Sequence, residues 1–248
     1  MWIKFAMTGP LALTGLLMVS CEKSNTVTVA REEAFESPLV VSKAAKGSND
    51  REPIPNTTPP GSKMDPSSNA YIIFDGSGSM TGSPIAEARR AVTSFIQGAP
   101  DDLNIGLFVF DRNNLAGAEL VPLGRGDDQR AELKKKIAGV QAGGSTPLGA
   151  AIKAGTKSLI DQFQKQLRYG DIRLIVVTDG QASDGSAFNQ SIVMARDYHV
   201  PIYTIGFRIR NEHPLRRYSE NYMTAQDEQE LLDAMKETLA ELDDSADL

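Results

Sequence analysis

Ala70-Tyr71-Ile72-Ile73-Phe74-Asp75-Gly76-Ser77-Gly78-Ser79-Met80 decides how the chain reads. Residues 70–74 are a short apolar run, rich in β-branched and aromatic side chains, as a strand buried on both faces requires. The run stops at a carboxylate. Two serines follow at alternate positions, each preceded by a glycine. Gly76 and Gly78 let the backbone turn tightly, so Asp75, Ser77 and Ser79 can aim their oxygens at one point. Oxygen donors converging beyond the carboxyl end of a strand suit a hard divalent cation, Mg²⁺ first. In open α/β sheets ligands also bind there.

Outward from that stretch, strands alternate with long helical patterns. Ser83-Pro84 reads as an N-cap with proline at the first helical position. Ile85, Ala88, Val92, Phe95 and Ile96 follow at helical spacing, up to Gly98-Ala99-Pro100. A second buried strand is expected over Asn104–Phe110, and a weak one over Glu119–Leu123, where Pro122 suits a sheet edge. Helices are expected over Asp127–Val140, with acidic residues first and lysines later, and from Leu148 to about Gln166. Ile172–Thr178 is the clearest central strand and runs into Asp179-Gly180. A helix from about Ser186 to Tyr198, a strand over Val200–Phe207, an irregular segment Arg208–Met223 and an amphipathic helix Asp227–Leu242 complete the pattern. The expected fold is α/β: a doubly wound, mostly parallel central sheet flanked by helices, Rossmann-like, with one antiparallel edge strand.

Three distant stretches place an oxygen donor at a strand end or helix start: Asp75-x-Ser77-x-Ser79, Thr146 within Gly143-Gly144-Ser145-Thr146, and Asp179 within Thr178-Asp179-Gly180. With Tyr203-Thr204-Ile205-Gly206-Phe207 and the order of elements, they resemble the von Willebrand factor A domain and its metal-ion-dependent adhesion site. The likeness spans 69–242. It implies that Ser77 and Ser79 bind the metal through their hydroxyls. Thr146 is expected to bind directly or through water, and Asp75 and Asp179 to hold waters and hydroxyls around it. The implied ion is Mg²⁺, with Mn²⁺ or Ca²⁺ as alternatives. An octahedral position left open takes an Asp or Glu of a protein or peptide partner. The alternative is a scaffold or assembly subunit that recruits its partners independently of metal.

An enzyme is not expected. A serine nucleophile needs a base, and only His199 and His213 exist. His199 precedes a strand, at the wrong end of the sheet, and His213 falls in the irregular segment. Neither glycine-rich stretch continues into the Gly-Lys-Ser/Thr of a phosphate loop. Two-metal hydrolysis requires more carboxylates than these stretches bring. A net charge of −6 and a pI near 5.1 argue against nucleic acid as a partner.

The N-terminal part reads differently. Residues 1–20 carry Lys4 and an apolar stretch too short for a comfortable membrane span, which is a secretory signal pattern. Met18-Val19-Ser20-Cys21 resembles a bacterial lipoprotein signal, with Met18 where leucine is usual. The resemblance implies lipidation of Cys21, the single cysteine, and a cell-envelope location. Glu22 favours the outer membrane, facing the periplasm or the surface. Residues 21–68 are proline-rich and polar, as in a disordered tether, with Leu39-Val40-Val41 as one apolar patch. Residues 243–248 form an acidic tail. Asp111 and Asp184 are expected at the rim of the site as caps or solvated carboxylates. Arg208, Arg210, Arg216 and Arg217 read as a basic loop that could steer an acidic partner.

Overall fold

The computed structural model describes residues 58–209 and 212–240. The signal segment, Cys21, Leu39-Val40-Val41, Arg210 and the acidic tail lie outside the described residues.

Six strands form one sheet: β1 (Asn69–Asp75), β2 (Asn104–Phe110), β3 (Ala118–Gly124), β4 (Ile172–Thr178), β5 (Ile202–Phe207) and β6 (Asn221–Ala225), in the order β3-β2-β1-β4-β5-β6. All neighbours pair in parallel except β3, which runs antiparallel to β2 at one edge. Pro122 sits on that edge strand, whose pairing slips at two points. The missing N–H of proline is tolerated where no further strand needs it.

Among the described residues five α-helices cover the sheet: α1 (Ser83–Gly98), α2 (Asp127–Gly139), α3 (Leu148–Lys165), α4 (Gly185–Asp197) and α5 (Glu228–Ala240). The period of two along a strand sorts its side chains between two cores. Ala70, Ile72 and Phe74 of β1 join Ile175 and Val177 of β4 beneath α1, α2 and α5. Tyr71 and Ile73 join Leu174 and Val176 beneath α3 and α4. Every residue of β1 is buried, so each large side chain there contributes about 1.5–3 kcal/mol.

Helix ends are closed by neighbours. Arg89 of α1 donates to the carbonyls of Ala138 and Val140 as α2 ends. Arg130 of α2 donates to Ile96 O and Pro100 O as α1 ends. Both satisfy carbonyls that a helix terminus leaves open. The approach to β1 is tied to the domain as well. Lys63 N–H donates to Lys165 O at 3.0 Å, and Gln166 Nε2 donates to Asp65 O at 3.0 Å and Ser67 O at 2.8 Å.

Two local expectations are corrected. Ser83 is the first residue of α1, with Gly82 as its cap at φ 97°. The Ser83 hydroxyl instead accepts from Arg208 Nη1 at 3.2 Å. The segment expected to be irregular contains the short 3-10 turn Pro214–Arg217 and the edge strand β6. Asn221-Tyr222-Met223-Thr224-Ala225 has no strong alternation, and its pairing comes from the adjacent edge of β5.

Gly149 lets α3 and α4 cross closely. A Cβ there would stand 2.2 Å from Phe188 N and 2.4 Å from Ala187 C, both backbone atoms that cannot swing away. Gly149→Ala is therefore expected to lower unfolding stability by about 1–3 kcal/mol, the usual range for overpacking. Urea denaturation of the variant against the parent checks this.

Candidate metal centre

The carboxyl ends of β1 and β4 lie side by side, and the loops that leave them carry the oxygen donors. Asp75 closes β1 and is fully buried. Its Oδ1 accepts the Ser77 N–H at 2.8 Å, and its Oδ2 accepts the Thr178 hydroxyl at 2.6 Å. The first bond folds the chain back after Gly76. That glycine is required by close approach: a Cβ there would lie 2.9 Å from Asp111 Cβ and Val140 Cγ1, and 3.0 Å from Phe110 O.

The turn brings Ser77 Oγ to 3.0 Å from Ser79 Oγ, and Ser79 Oγ donates to Asp179 Oδ1 at 2.6 Å. Ser77 is buried and Ser79 is exposed, so the row of oxygens runs from the interior to the surface. Thr146 joins from the loop before α3. A Cβ on Gly180 would lie 3.6 Å from Thr146 Oγ1 and 3.7 Å from Ser79 Oγ, so both hydroxyls flank that glycine. All five oxygen-bearing residues singled out from the sequence are thus gathered at one end of the sheet.

Backbone bonds fix the three loops to one another. Gly76 N–H donates to Phe110 O at 2.8 Å, Gly143 N–H to Gly76 O at 2.9 Å, and Gly78 N–H to Gly144 O at 3.1 Å. Ser183 N–H donates to Thr146 O at 2.9 Å.

The electrostatics of the cluster are unbalanced. Burial pushes the Asp75 carboxyl up to about 6 from an ordinary 3.8, against the lowering effect of its Ser77 and Thr178 hydrogen bonds. Burial also raises Asp179, against its bond from Ser79. Among the described residues neither carboxylate has a Lys, Arg or His partner. A fully buried carboxylate beside a half-buried one, with no counter-charge on either, favours a cation next to them. The spacing fits one: adjacent oxygens of an octahedral Mg²⁺ shell lie about 2.9 Å apart, close to the 3.0 Å between the serine hydroxyls. Among the described residues no three His, Cys, Asp or Glu side chains gather for a metal, so a site here depends on hydroxyls.

Asp111 and Asp184 are occupied structurally. Asp111 Oδ1 accepts the Asn113 and Asn114 N–H groups and Asn114 Nδ2, each at 2.9 Å, while Oδ2 accepts Gln141 N–H at 3.0 Å. Asp184 precedes α4 but caps α3, accepting Gly149 N–H and Ala150 N–H, each at 2.9 Å. The first turn of a helix welcomes a carboxylate, and here that carboxylate fastens the Asp179 loop to the Thr146 loop. Asp184→Ala is expected to cost about 1–2 kcal/mol of stability, read from urea denaturation.

The basic loop is corrected in part. Arg208 pairs with Glu87 at 2.6 Å and donates to Gln226 O at 3.1 Å, so it ties α1 to the start of α5 and is not free for steering. Arg216 lies over the Tyr222 ring, 5.8 Å from its centroid. His199 lines a groove of about 410 Å³ with Asp171, Ile172 and Pro201, at the amino ends of β4 and β5 and away from the oxygen cluster. His213 falls in the segment that the sequence marks as irregular. It is buried, and its Nε2 lies 2.8 Å from Gly180 O, beside Asp179. No local pattern in the sequence reveals this contact, because 33 positions separate the two residues.

A mostly parallel sheet with helices on both faces and an Asp-x-Ser-x-Ser turn joined by a threonine and a second aspartate define an A-type domain. The chain belongs to the von Willebrand factor type A domain family, whose model matches residues 69–238. It is 24% identical over 139 residues to an uncharacterized protein of Synechocystis sp., covering 56% of this chain and 32% of that one. Among solved structures it is similar to a von Willebrand factor type A protein from Catenulispora acidiphila, with TM-score 0.58 and 17% identity, over 69% of this chain and 41% of that one. Proximal thread matrix protein 1 of the mussel byssus is similar too, with TM-score 0.54 and 17% identity, over 70% of this chain and 47% of that one. The chain thus spans about a third of the curated relative and under half of each structure.

Proposed function

We propose that the domain binds a divalent cation, Mg²⁺ by preference, at the oxygen cluster, and that the cation joins it to an acidic side chain of a partner protein. The observation that carries this reading is the convergence of Ser77, Ser79 and the half-buried Asp179 at 3.0 and 2.6 Å beside the fully buried Asp75, with no cationic side chain among the described residues paired to either carboxylate. Ser77, Ser79 and Thr146 would supply neutral oxygens. Asp75 and Asp179 would orient those hydroxyls and neutralise the charge. A cation held largely by hydroxyls keeps much of its attraction for an incoming carboxylate, which is the chemistry it would supply. One mussel thread-protein structure is described as having a zinc-occupied site of this kind, which favours the same use of the fold here. Mn²⁺ and Ca²⁺ are the alternative ions.

The two serine hydroxyls bond each other and Asp179, with no imidazole or lysine among their partners in the described residues, and this favours binding, rather than catalysis, as the activity proposed. In the full chain the domain would be held to a bacterial membrane through lipidated Cys21 and the residues after it, in the outer membrane facing the periplasm or the surface. Among the described residues no helix is long and apolar enough to cross a membrane. Mass spectrometry of the mature N-terminus tests the anchor: acylated Cys21 is expected, and an unmodified N-terminus elsewhere rejects it.

Calorimetric titration of Mg²⁺ into wild type and Asp179→Ala tests the site. Wild type is expected to take up one ion and the variant to lose most of the affinity. Partners captured from an envelope extract should fall away with EDTA and with Asp179→Ala alike. Partners retained under both conditions would instead favour the metal-independent scaffold.

A further inference from the structure

We propose that His213 is a positioning residue for the oxygen cluster: its N–H satisfies Gly180 O, and this commits the Thr178 hydroxyl to Asp75. The proposal deepens the cation-binding reading and rests on it for one of its two measurements.

Gly180 O has two donors within reach, Thr178 Oγ1 at 3.1 Å and His213 Nε2 at 2.8 Å. Thr178 has one hydroxyl proton and cannot serve two acceptors at once. Its other acceptor is Asp75 Oδ2, nearer at 2.6 Å and able to carry a full charge, and a charged acceptor forms the stronger bond. Gly180 N–H in turn donates to Thr178 Oγ1 at 3.2 Å. The Gly180 carbonyl is then left to His213.

The imidazole is set up for that one task. Leu215 N–H donates to Nδ1 at 3.1 Å, so the proton of the neutral ring belongs on Nε2, facing Gly180. Leu215 is fully buried in the core under α3 and α4 and anchors the short turn that carries the ring. Tyr222 stacks near it, with ring centroids 6.4 Å apart and planes 20° apart.

Without this N–H, Gly180 O is left to compete with Asp75 Oδ2 for the single Thr178 proton, which weakens the bond to Asp75. The turn that holds Asp179 against Ser79 also loses its tie to the 3-10 segment. Partners that fix a metal's ligands typically change affinity 10–100-fold when altered, and His213, which acts through Gly180 and Thr178, is expected at the low end of that range.

The test uses the full chain with His213→Asn, His213→Gln, Thr178→Val and the Asn/Val double variant. Asn keeps an acceptor for Leu215 N–H, and with it the local turn, but is too short to reach Gly180 O. Gln places an N–H near the Nε2 position. Titration with Mg²⁺ is expected to show binding weakened about 10-fold or more by His213→Asn and restored to within about threefold by His213→Gln. In the Thr178→Val background the Asn substitution should lose most of its effect, because the hydroxyl it redirects is gone. A residue that only fills space would give the same loss in both backgrounds, and that result overturns the proposal, as does an unchanged affinity in His213→Asn. The second measurement needs no metal: hydrogen exchange at the Gly180 amide, in EDTA, should quicken in His213→Asn and return to the parent rate in His213→Gln. Equal rates in all three overturn the proposal. If wild type takes up no Mg²⁺, the cation reading fails by itself, and the Gly180 amide decides the role of His213.

Discussion

Asp75→Asn is expected to raise the thermal midpoint of the EDTA-treated protein at pH 7 and to abolish its further rise with Mg²⁺. The reason is the cost of an ionised carboxylate buried among β1, β4 and the serine turn. Its pKa stands at about 6 in the folded protein against 3.8 unfolded, and at pH 7 that difference corresponds to about 3 kcal/mol of destabilisation. Asn removes the charge and keeps the shape. Its Oδ1 accepts the Ser77 N–H, and its amide group donates to Thr178 Oγ1, whose proton turns to Gly180 O at 3.1 Å. The released stability, at about 2–4 °C per kcal/mol for a domain of this size, should exceed the error of a melting experiment. Asp75→Ala should gain less than Asp75→Asn. It removes the same charge and lets the Thr178 hydroxyl turn to Gly180 O, but it leaves the buried Ser77 N–H without its acceptor, at about 1–3 kcal/mol. An Asn variant that still gains the parent's increment from Mg²⁺ would show that Asp75 takes no part in holding the cation.

The second large effect is the exchange of protons for metal. Asp75 has a raised folded pKa, so its destabilising influence is complete above about pH 6 and fades as pH falls through 6 toward 3.8. In EDTA, lowering the pH from 7 to 5 should therefore stabilise the protein by about 1 kcal/mol through this carboxyl. The raised Asp179 works in the same direction. Asp65 works in the opposite sense, since bonds from Ser67 lower it to about 2, but its stability is lost only between 3.8 and 2, below the window in question. Saturation with Mg²⁺ reverses the trend. An ion at 100 times its dissociation constant adds about 2.7 kcal/mol, and protons compete for the same oxygens. The Mg²⁺-dependent rise in melting temperature should be full at pH 7.5 and decline through pH 6. An increment that does not change with pH would mean that the ion sits away from these carboxylates.

The strands that hold the site were legible because their signals are local. A run such as Leu174–Val177 is apolar on both faces of the pleat, as a parallel sheet covered by helices on both sides requires. The donors were legible because each sits at a strand end or a helix start, where backbone geometry limits where an oxygen can point. Pro122 marked its edge for the same reason. β6 was not legible, since Asn221–Ala225 alternates weakly and is ordered by pairing with β5. The destinations of Arg208, Asp184 and His213 were hidden too. Their partners Glu87, Gly149 and Gly180 lie 33 to 121 positions away, and no periodicity encodes such a contact.

The sequence alone therefore determined five of the six strands and the five helices of the described residues, the α/β class, and which five oxygens have the chemistry for a hard cation. It did so through hydrophobic period and turn composition, which depend only on near neighbours. Tertiary structure alone decided the distances among those oxygens, the burial that raises Asp75, and the choice of one proton between Asp75 and Gly180. Those properties arise only when segments about a hundred residues apart are packed together and water is excluded from between them.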